Sequence, residues 1–134
     1  MAQHRVFDTS ALIALLEDEP EADEVSGLIE RTYRAHGERL IAVVNLGEVW
    51  YQAARKRLDG DRGVQSLLHL GFSVVDADWE LTRNAATLKL KYKLAFADSY
   101  AAALAQIRQC ELVTLDTDFE KLKREVKVRL IRRK

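Results

Sequence analysis

Short apolar runs alternate with stretches of helical periodicity in the first part of the chain. Residues 4–7 form a strand-like run that stops at Asp8, and the apolar positions within 12–16 then recur at helical spacing. A second helical stretch covers about residues 21–35, and the β-branched run 40–44 precedes a third helical pattern. The pattern therefore predicts the order strand, helix, helix, strand, helix.

The rest of the chain repeats this alternation. The predicted elements are, in order, a short helix near 64–68, a strand at 72–75, a helix from Asp78 to about Tyr92, an alanine-rich helix over 97–109, a strand at 112–115, a short helix begun by Thr117 or Asp118, and an edge strand over 126–131.

Polar residues and a glycine mark several of the predicted helix ends. Ser10, Asn45 and Asp78 precede helical patterns and are predicted N-caps, because their side-chain oxygens can accept hydrogen bonds from free backbone N–H groups. His36 and Gly37 follow the second helical stretch, where glycine commonly ends a helix.

The alternation of strands and helices predicts the fold class. About five strands in β-α-β-α order are typical of an α/β protein, here a three-layer α/β/α sandwich with a mostly parallel sheet. The length of 134 residues and the hydrophobic content of 48% suit one core, so we expect a single domain over 1–134. Ligands of such sheets bind at the carboxyl ends of the strands.

Four acidic residues are expected to meet at that edge of the sheet. Asp8 and Asp116 follow predicted strands, Glu48 and Asp98 lie near helix starts, and Asp118 is close by. Converging carboxylates repel one another, and a hard divalent cation relieves the repulsion. No His or Cys stands near these positions, which favours Mg²⁺ over Zn²⁺. A site of this kind hydrolyses phosphodiester bonds with a metal-activated water.

Each acid also has a structural alternative. Asp8 could cap the helix that follows it, and Asp98 could complement a helix dipole. Glu48 could face solvent, and Asp116 and Asp118 could form the local hydrogen bonds of a turn. Acidic residues occur by chance at all four required positions far more rarely than at any single one. We therefore favour the interpretation that the four acids form one site.

Composition and charge narrow the setting. Cys110 is the one cysteine, and no run is long enough for a signal peptide or a membrane span, so we expect a cytoplasmic protein. Lys plus Arg and Asp plus Glu both number 21, so binding to a polyanion must depend on local charge. Basic clusters lie at 55–57, 89–93 and 129–134.

Four segments together resemble the successive motifs of PIN-domain nucleases. They are VFDTSAL at 6–12, NLGEV at 45–49, ADSYAAALA at 97–105 and VTLDTDF at 113–119. The length and the order of the motifs resemble those of the VapC-type toxins of toxin–antitoxin pairs. The resemblance covers essentially the whole chain.

This resemblance implies a role for each residue of the site. Asp8 and Asp98 would be the principal ligands of Mg²⁺ or Mn²⁺, with Glu48 and Asp116 completing the site directly or through waters. Asp118 would be an auxiliary acid, and Ser10 and Thr114 would be polar supports. The resemblance also implies an endoribonuclease that forms homodimers and is neutralised by a small antitoxin protein.

Apolar residues near the site could receive a helix of such a partner. Leu12, Leu15, Leu16, Trp50 and Tyr51 could form a groove, although core packing would bury most of them. Neighbouring positions of a helix point about 100° apart, so Trp50 and Tyr51 cannot both enter one core.

Two other functions stay open at this point. The chain could be a housekeeping RNA-processing nuclease without an antitoxin, or a non-catalytic module that binds RNA or protein. A haloacid dehalogenase phosphatase would need a second acid two positions after Asp8, where Ser10 stands. A response-regulator receiver would need an acidic pair before the first helix, which is not evident.

Overall fold

The computed structural model describes residues 2–134. The strands are β1 (Arg5–Phe7), β2 (Arg39–Ala42), β3 (Phe72–Val75), β4 (Glu111–Thr114) and β5 (Val128–Leu130). The helices are α1 (Thr9–Leu16), α2 (Ala22–Arg34), α3 (Val43–Arg55), α4 (Gly60–His69), α5 (Trp79–Tyr92) and α6 (Phe96–Arg108), and a 3₁₀ helix covers Thr117–Leu122.

The five strands form one sheet in the order β3-β2-β1-β4-β5, and every neighbouring pair is parallel. The chain first builds the sheet outward from β1 through β2 to β3, and then continues on the other side of β1 with β4 and β5. The order therefore reverses between β1 and β4, which is where ligands bind in sheets of this kind.

Side chains of the strands alternate between two cores, one on each face of the sheet. Val6, Leu40 and Leu112 pack with the helices α5 and α6. Their neighbours Phe7 and Ile41 face the opposite way and pack with α1, α2, α3 and α4. The three-layer α/β/α fold with a parallel sheet of about five strands, expected from the sequence, is confirmed.

The ends of several elements differ from the prediction. The run 40–44 is not all strand, because α3 begins at Val43. Asn45 is therefore inside α3 and does not cap it, and the cap position is Ala42, whose side chain makes no capping bond. The N-cap of α1 is Asp8 and not Ser10, whereas Asp78 caps α5 as predicted.

The connection from α2 to β2 also differs in detail from the prediction. The left-handed residue after α2 is His36, with a φ of 58°, and not Gly37. Gly37 is required for another reason: a Cβ there would lie 1.9 Å from the carbonyl oxygen of Gln3. The chain preceding β1 thus packs directly on the backbone at Gly37. Within residues 2–134, no helix has both the length and the apolar composition needed to cross a lipid bilayer.

Candidate active site

The carboxyl ends of the two central strands bring Asp8 and Asp116 to the same edge of the sheet. Asp8 follows β1 directly, and Asp116 follows β4 after one intervening residue. Because β1 and β4 are neighbours with Phe7 opposite Val113, their ends lie side by side. The fold therefore places these two carboxylates on either side of the point where the strand order reverses.

Asp8 is held by hydrogen bonds to both of its carboxylate oxygens, although only 2% of the residue is exposed. Its Oδ1 accepts from the backbone N–H of Ala11 at 2.9 Å and from the hydroxyl of Ser10 at 2.7 Å. Its Oδ2 accepts from the hydroxyl of Thr114 at 2.5 Å. Asp8 is thus a helix cap as well as a buried, oriented carboxylate.

Ser10 and Thr114, the two predicted polar supports, both contact Asp8 and also order the chain after β4. The Ser10 hydroxyl accepts from the backbone N–H of Leu115 at 2.9 Å. The Thr114 hydroxyl accepts from the backbone N–H of Asp116, also at 2.9 Å. The same two hydroxyls therefore fix the orientation of Asp8 and the path of the backbone that carries Asp116.

Glu48 and Asp98 reach this edge from helices on opposite faces of the sheet. Asp98 is in the first turn of α6, and Glu48 is in the second turn of α3 rather than the first, because α3 begins earlier than predicted. Both side chains are partly buried.

Asn45 joins the elements that carry these acids, a role that the sequence did not reveal. It is completely buried, and its Nδ2 donates to the carbonyl oxygen of Ala97 at 3.0 Å and to the Thr9 hydroxyl at 3.3 Å. It therefore ties the start of α3 to the starts of α6 and α1. The spacing of three residues between Asn45 and Glu48, which places both on one helix face, was the available signal.

The four acids line one open cavity of about 330 Å³, called the acidic cavity below. Its lining consists of Asp8, Thr9, Ser10, Ile13, Glu19, Glu48, Gln52, Lys56, Asp98, Asp116 and Arg133. Asp118 is not part of this lining. It is exposed, and its backbone N–H donates to Oδ1 of Asp116 at 2.9 Å, so the turn bond weighed as an alternative for Asp116 is present.

The cavity disfavours negative charge on two of its carboxyls. Burial, the largest cause, and the charges of Asp8, Asp116, Glu48 and Asp118 together raise the pKa of Asp98 from an ordinary value of 3.8 to about 7. Burial also raises the pKa of Asp8 to about 6, against the opposing effect of the hydrogen bonds from Thr114, Ala11 and Ser10. The acids are thus close enough to oppose one another's ionisation.

The donor set suits a hard cation that keeps part of its water shell. Every acid that lines the cavity offers carboxylate oxygens, and no His or Cys is part of the lining. Among residues 2–134, no three His, Cys, Asp or Glu side chains form a ready-made ligand group. An open cavity lined by carboxylates fits Mg²⁺, which is commonly bound by one or two carboxylates while it keeps several of its waters.

The sequence profile of one family, described as the PIN domain, matches residues 5–125 of the chain. No curated protein sequence matches this chain significantly.

Several solved structures share the fold. VapBC2 from Rickettsia felis, bound to a DNA fragment from their promoter, is 14% identical, with a TM-score of 0.77 over 95% of this chain and 98% of that one. A toxin-antitoxin complex from Klebsiella pneumoniae is 24% identical, with a TM-score of 0.63 over 86% of this chain and 89% of that one. The sarcin-ricin loop cleaving toxin VapC20 from Mycobacterium tuberculosis is 17% identical, with a TM-score of 0.67 over 88% and 94%.

Proposed function

The chain belongs to the PIN domain family, and on that premise we propose that it is a metal-dependent endoribonuclease, the toxin of a VapBC-like toxin–antitoxin pair. The observation that carries the proposal is the acidic cavity, where Asp8, Glu48, Asp98 and Asp116 lie together. A fold gains no stability from such a cluster, because like charges oppose ionisation. The repulsion between the carboxylates is explained if they bind a cation that acts on a phosphodiester.

We assign the residues of the site as follows. Asp8 and Asp98 are the principal ligands of Mg²⁺ or Mn²⁺, while Glu48 and Asp116 complete the site directly or through water, and Asp118 adds negative charge at its edge. When bound, such a cation supplies polarisation of a phosphate oxygen and a lowered pKa for a water ligand. Ser10 and Thr114 keep both Asp8 oxygens oriented, and Asn45 holds the first turn of α6 in place.

Without a cation, the Asp98 carboxyl can hold a proton near neutral pH because its pKa is raised to about 7. Binding of the cation therefore competes with this proton, and we expect the site to bind metal more tightly as the pH rises.

A groove beside the site supports the antitoxin part of the proposal. Ile13, which lines the acidic cavity, also lines a neighbouring groove of about 370 Å³ with Leu16, Val49, Ala53 and Leu58. A partner helix lying in this groove would reach the edge of the acidic cavity. Two solved structures with the same fold are VapBC2 from Rickettsia felis and a toxin-antitoxin complex from Klebsiella pneumoniae.

The groove differs from the one expected from the sequence. Leu12 is fully buried in the core. Trp50 and Tyr51 are 44% and 56% exposed but lie outside the lining, and the Trp50 Nε1 donates to Asp61 Oδ1 at 3.0 Å. Both aromatic residues are therefore on the surface, in line with the expectation that they could not both enter one core.

The remaining parts of the proposal concern the setting of the chain. We propose that it acts as a single PIN domain and works in the cytoplasm, as expected from its length and composition, and that it forms a homodimer, as the family resemblance implies. Light scattering during gel filtration measures the oligomeric state, and a monomer at all concentrations would remove the homodimer from the proposal.

Cleavage of a mixed cellular RNA pool tests the nuclease directly. We expect the wild type to cut with Mg²⁺ and to be inactive with a chelator, and Asp98→Asn to lose at least about 100-fold in rate, since it removes a principal ligand. The matched control is Asp23→Asn, an exposed position on α2, which we expect to cut like the wild type. Equal cleavage by Asp98→Asn, or cleavage that persists with chelator, would contradict the proposal.

A further inference from the structure

The acidic cavity continues into a second cavity, and the two form one trough. The second cavity has a volume of about 490 Å³ and is lined by Ser10, Leu115, Asp116, Thr117, Leu130, Arg132 and Arg133. Ser10, Asp116 and Arg133 line both cavities. The trough is therefore lined by the carboxylates, by residues of α1 and the end of α3, and by residues that follow β5.

Three cations line this trough. Lys56, which follows α3, lines the acidic cavity together with the four acids of the proposed active site, and Arg132, which follows β5, lines the second cavity. Arg133 lines both cavities.

Buried contacts on both sides of Arg132 and Arg133 hold the segment 131–134 in place. Ile131 is only 1% exposed, and its backbone N–H donates to the carbonyl oxygen of Thr114 at 2.8 Å. The backbone N–H of Lys134 donates at 2.8 Å to Oε2 of Glu21, a carboxylate that is itself 2% exposed as a residue. The two arginines are therefore carried by an anchored backbone.

The three cations keep charge available to a ligand. Arg133 Nη1 lies 3.4 Å from Glu19 Oε1 and 4.0 Å from Oε1 of the buried Glu21, and its side chain is 59% exposed. Lys56 Nζ lies 2.9 Å from Glu17 Oε2, and its side chain is 43% exposed. Exposed ion pairs of this kind contribute little free energy, so a phosphate can take the place of the glutamate. Arg132 is exposed and makes no ion pair within 4.0 Å in the part of the chain that is described.

We propose that Lys56, Arg132 and Arg133 bind backbone phosphates of a single-stranded RNA close to the phosphate that is cut. This inference rests on the proposed function, because it takes the carboxylates as the place of cleavage. The net charge of the chain is zero, so no overall field draws a polyanion toward four carboxylates. The three cations in the lining of the trough provide a local attraction for a polyanion beside the acids.

RNA binding by a cleavage-deficient protein tests the proposal. In an Asp98→Asn background with chelator, Lys56→Gln, Arg132→Gln and Arg133→Gln are titrated into a labelled single-stranded RNA of mixed sequence, about 12 nucleotides long. The matched controls are Arg124→Gln and Lys127→Gln. Both residues are exposed, and neither lines the trough. Arg132→Gln is the decisive variant for folding, because it breaks no ion pair.

We expect each trough variant to weaken binding about 3- to 10-fold and to reduce the slope of log Kd against log salt by about 0.7, the value for one phosphate contact on a single strand. The controls should leave the affinity and the slope unchanged. Trough variants that bind with the affinity and slope of the controls would overturn the proposal, and so would a folded Asp98→Asn protein that binds no RNA.

Cleavage by the wild type with Mg²⁺ separates this inference from the proposed function. If the wild type cuts RNA while the trough variants bind like the controls, only the assignment of the three cations fails. If the wild type does not cut, the proposed nuclease fails, and the salt dependence of binding still decides whether the trough holds an RNA strand.

Discussion

At the residue scale, Asp8 and Asp98 differ in what offsets the free-energy cost of burying their charge. Asp8 accepts three hydrogen bonds, which offset part of the free-energy cost of burying its charge. The pKa of Asp98 is raised by burial and by the charges of four neighbouring carboxylates. Without a cation, the charge of either residue therefore lowers the stability of the folded protein.

The raised pKa values predict how the stability of the metal-free protein depends on pH. In the folded state the pKa of Asp8 is raised to about 6 and that of Asp98 to about 7, against 3.8 for an exposed aspartate. Between about pH 4 and pH 7 the folded state holds protons that the unfolded state releases, so the contribution of both groups to stability falls as the pH rises. Below this window both states are protonated, and above it the loss is complete.

Asp98→Asn tests this dependence, because asparagine carries no charge at any pH. In urea unfolding with chelator, we expect the variant to be more stable than the wild type by about 1–3 kcal/mol near pH 7.5. The difference should shrink toward pH 4.5. Asp23→Asn, on the exposed surface, should show no such trend. A variant that is less stable than the wild type at neutral pH would contradict the charge argument.

At the element scale, Asn45 joins three helices at their N-termini. Asn45→Ala removes the hydrogen bonds to Ala97 and Thr9, and we expect the free energy of unfolding to fall by about 1–2 kcal/mol. Because α6 carries Asp98 one residue after Ala97, we also expect the rate of RNA cleavage to fall about 10-fold or more.

The control for Asn45→Ala is Ile29→Val in α2, a buried change that typically costs about 1 kcal/mol. It should lower stability to a similar extent and leave cleavage at the temperature of the assay unchanged. If both variants lose activity equally, Asn45 acts through general stability and does not position the site.

The elements also show where sequence patterns are reliable. All five strands were predicted. The runs of β1, β2 and β4 are apolar because these strands are buried between two helical layers, whereas β5 was predicted from the alternation of apolar and basic residues along an edge strand. The boundary between β2 and α3 was not, since Val43 and Val44 suit either structure and the tertiary packing decides between them. Asp8 rather than Ser10 caps α1 for a similar reason: the Ser10 hydroxyl is engaged with Asp8 and with the backbone of Leu115.

At the scale of the whole molecule, a bound cation should stabilise the fold by mass action. With Mg²⁺ at about ten times its Kd, we expect an increase of about 1.4 kcal/mol, or several degrees in Tm, for the wild type near neutral pH. Asp98→Asn should respond much less. A titration with NaCl at equal ionic strength controls for screening of the carboxylates. An equal rise in Tm with either salt would indicate screening and not a metal site.

The candidate site was predicted to the extent that it depends on positions next to strand ends and on local motifs. Asp8 and Asp116 follow strands in the sequence, so their meeting required only that β1 and β4 be neighbours. Other features depend on how helices from both faces pack at the sheet edge. These are the burial of Asn45, the position of Glu48 in the second turn of α3, and the absence of Asp118 from the lining of the cavity.

The sequence by itself determined the order of the elements, the parallel α/β class and the acids that stand at helix and strand ends, because these depend on local periodicity and on short-range capping. Only the tertiary structure decided which charges share a cavity. Lys56 and Arg133 are far apart in the chain, and each belongs to a basic cluster that the sequence alone could place on any solvated face. The strand order and the anchoring of Ile131 and Glu21 bring them into the lining of one cavity, because burial and long-range hydrogen bonds are properties of the folded chain.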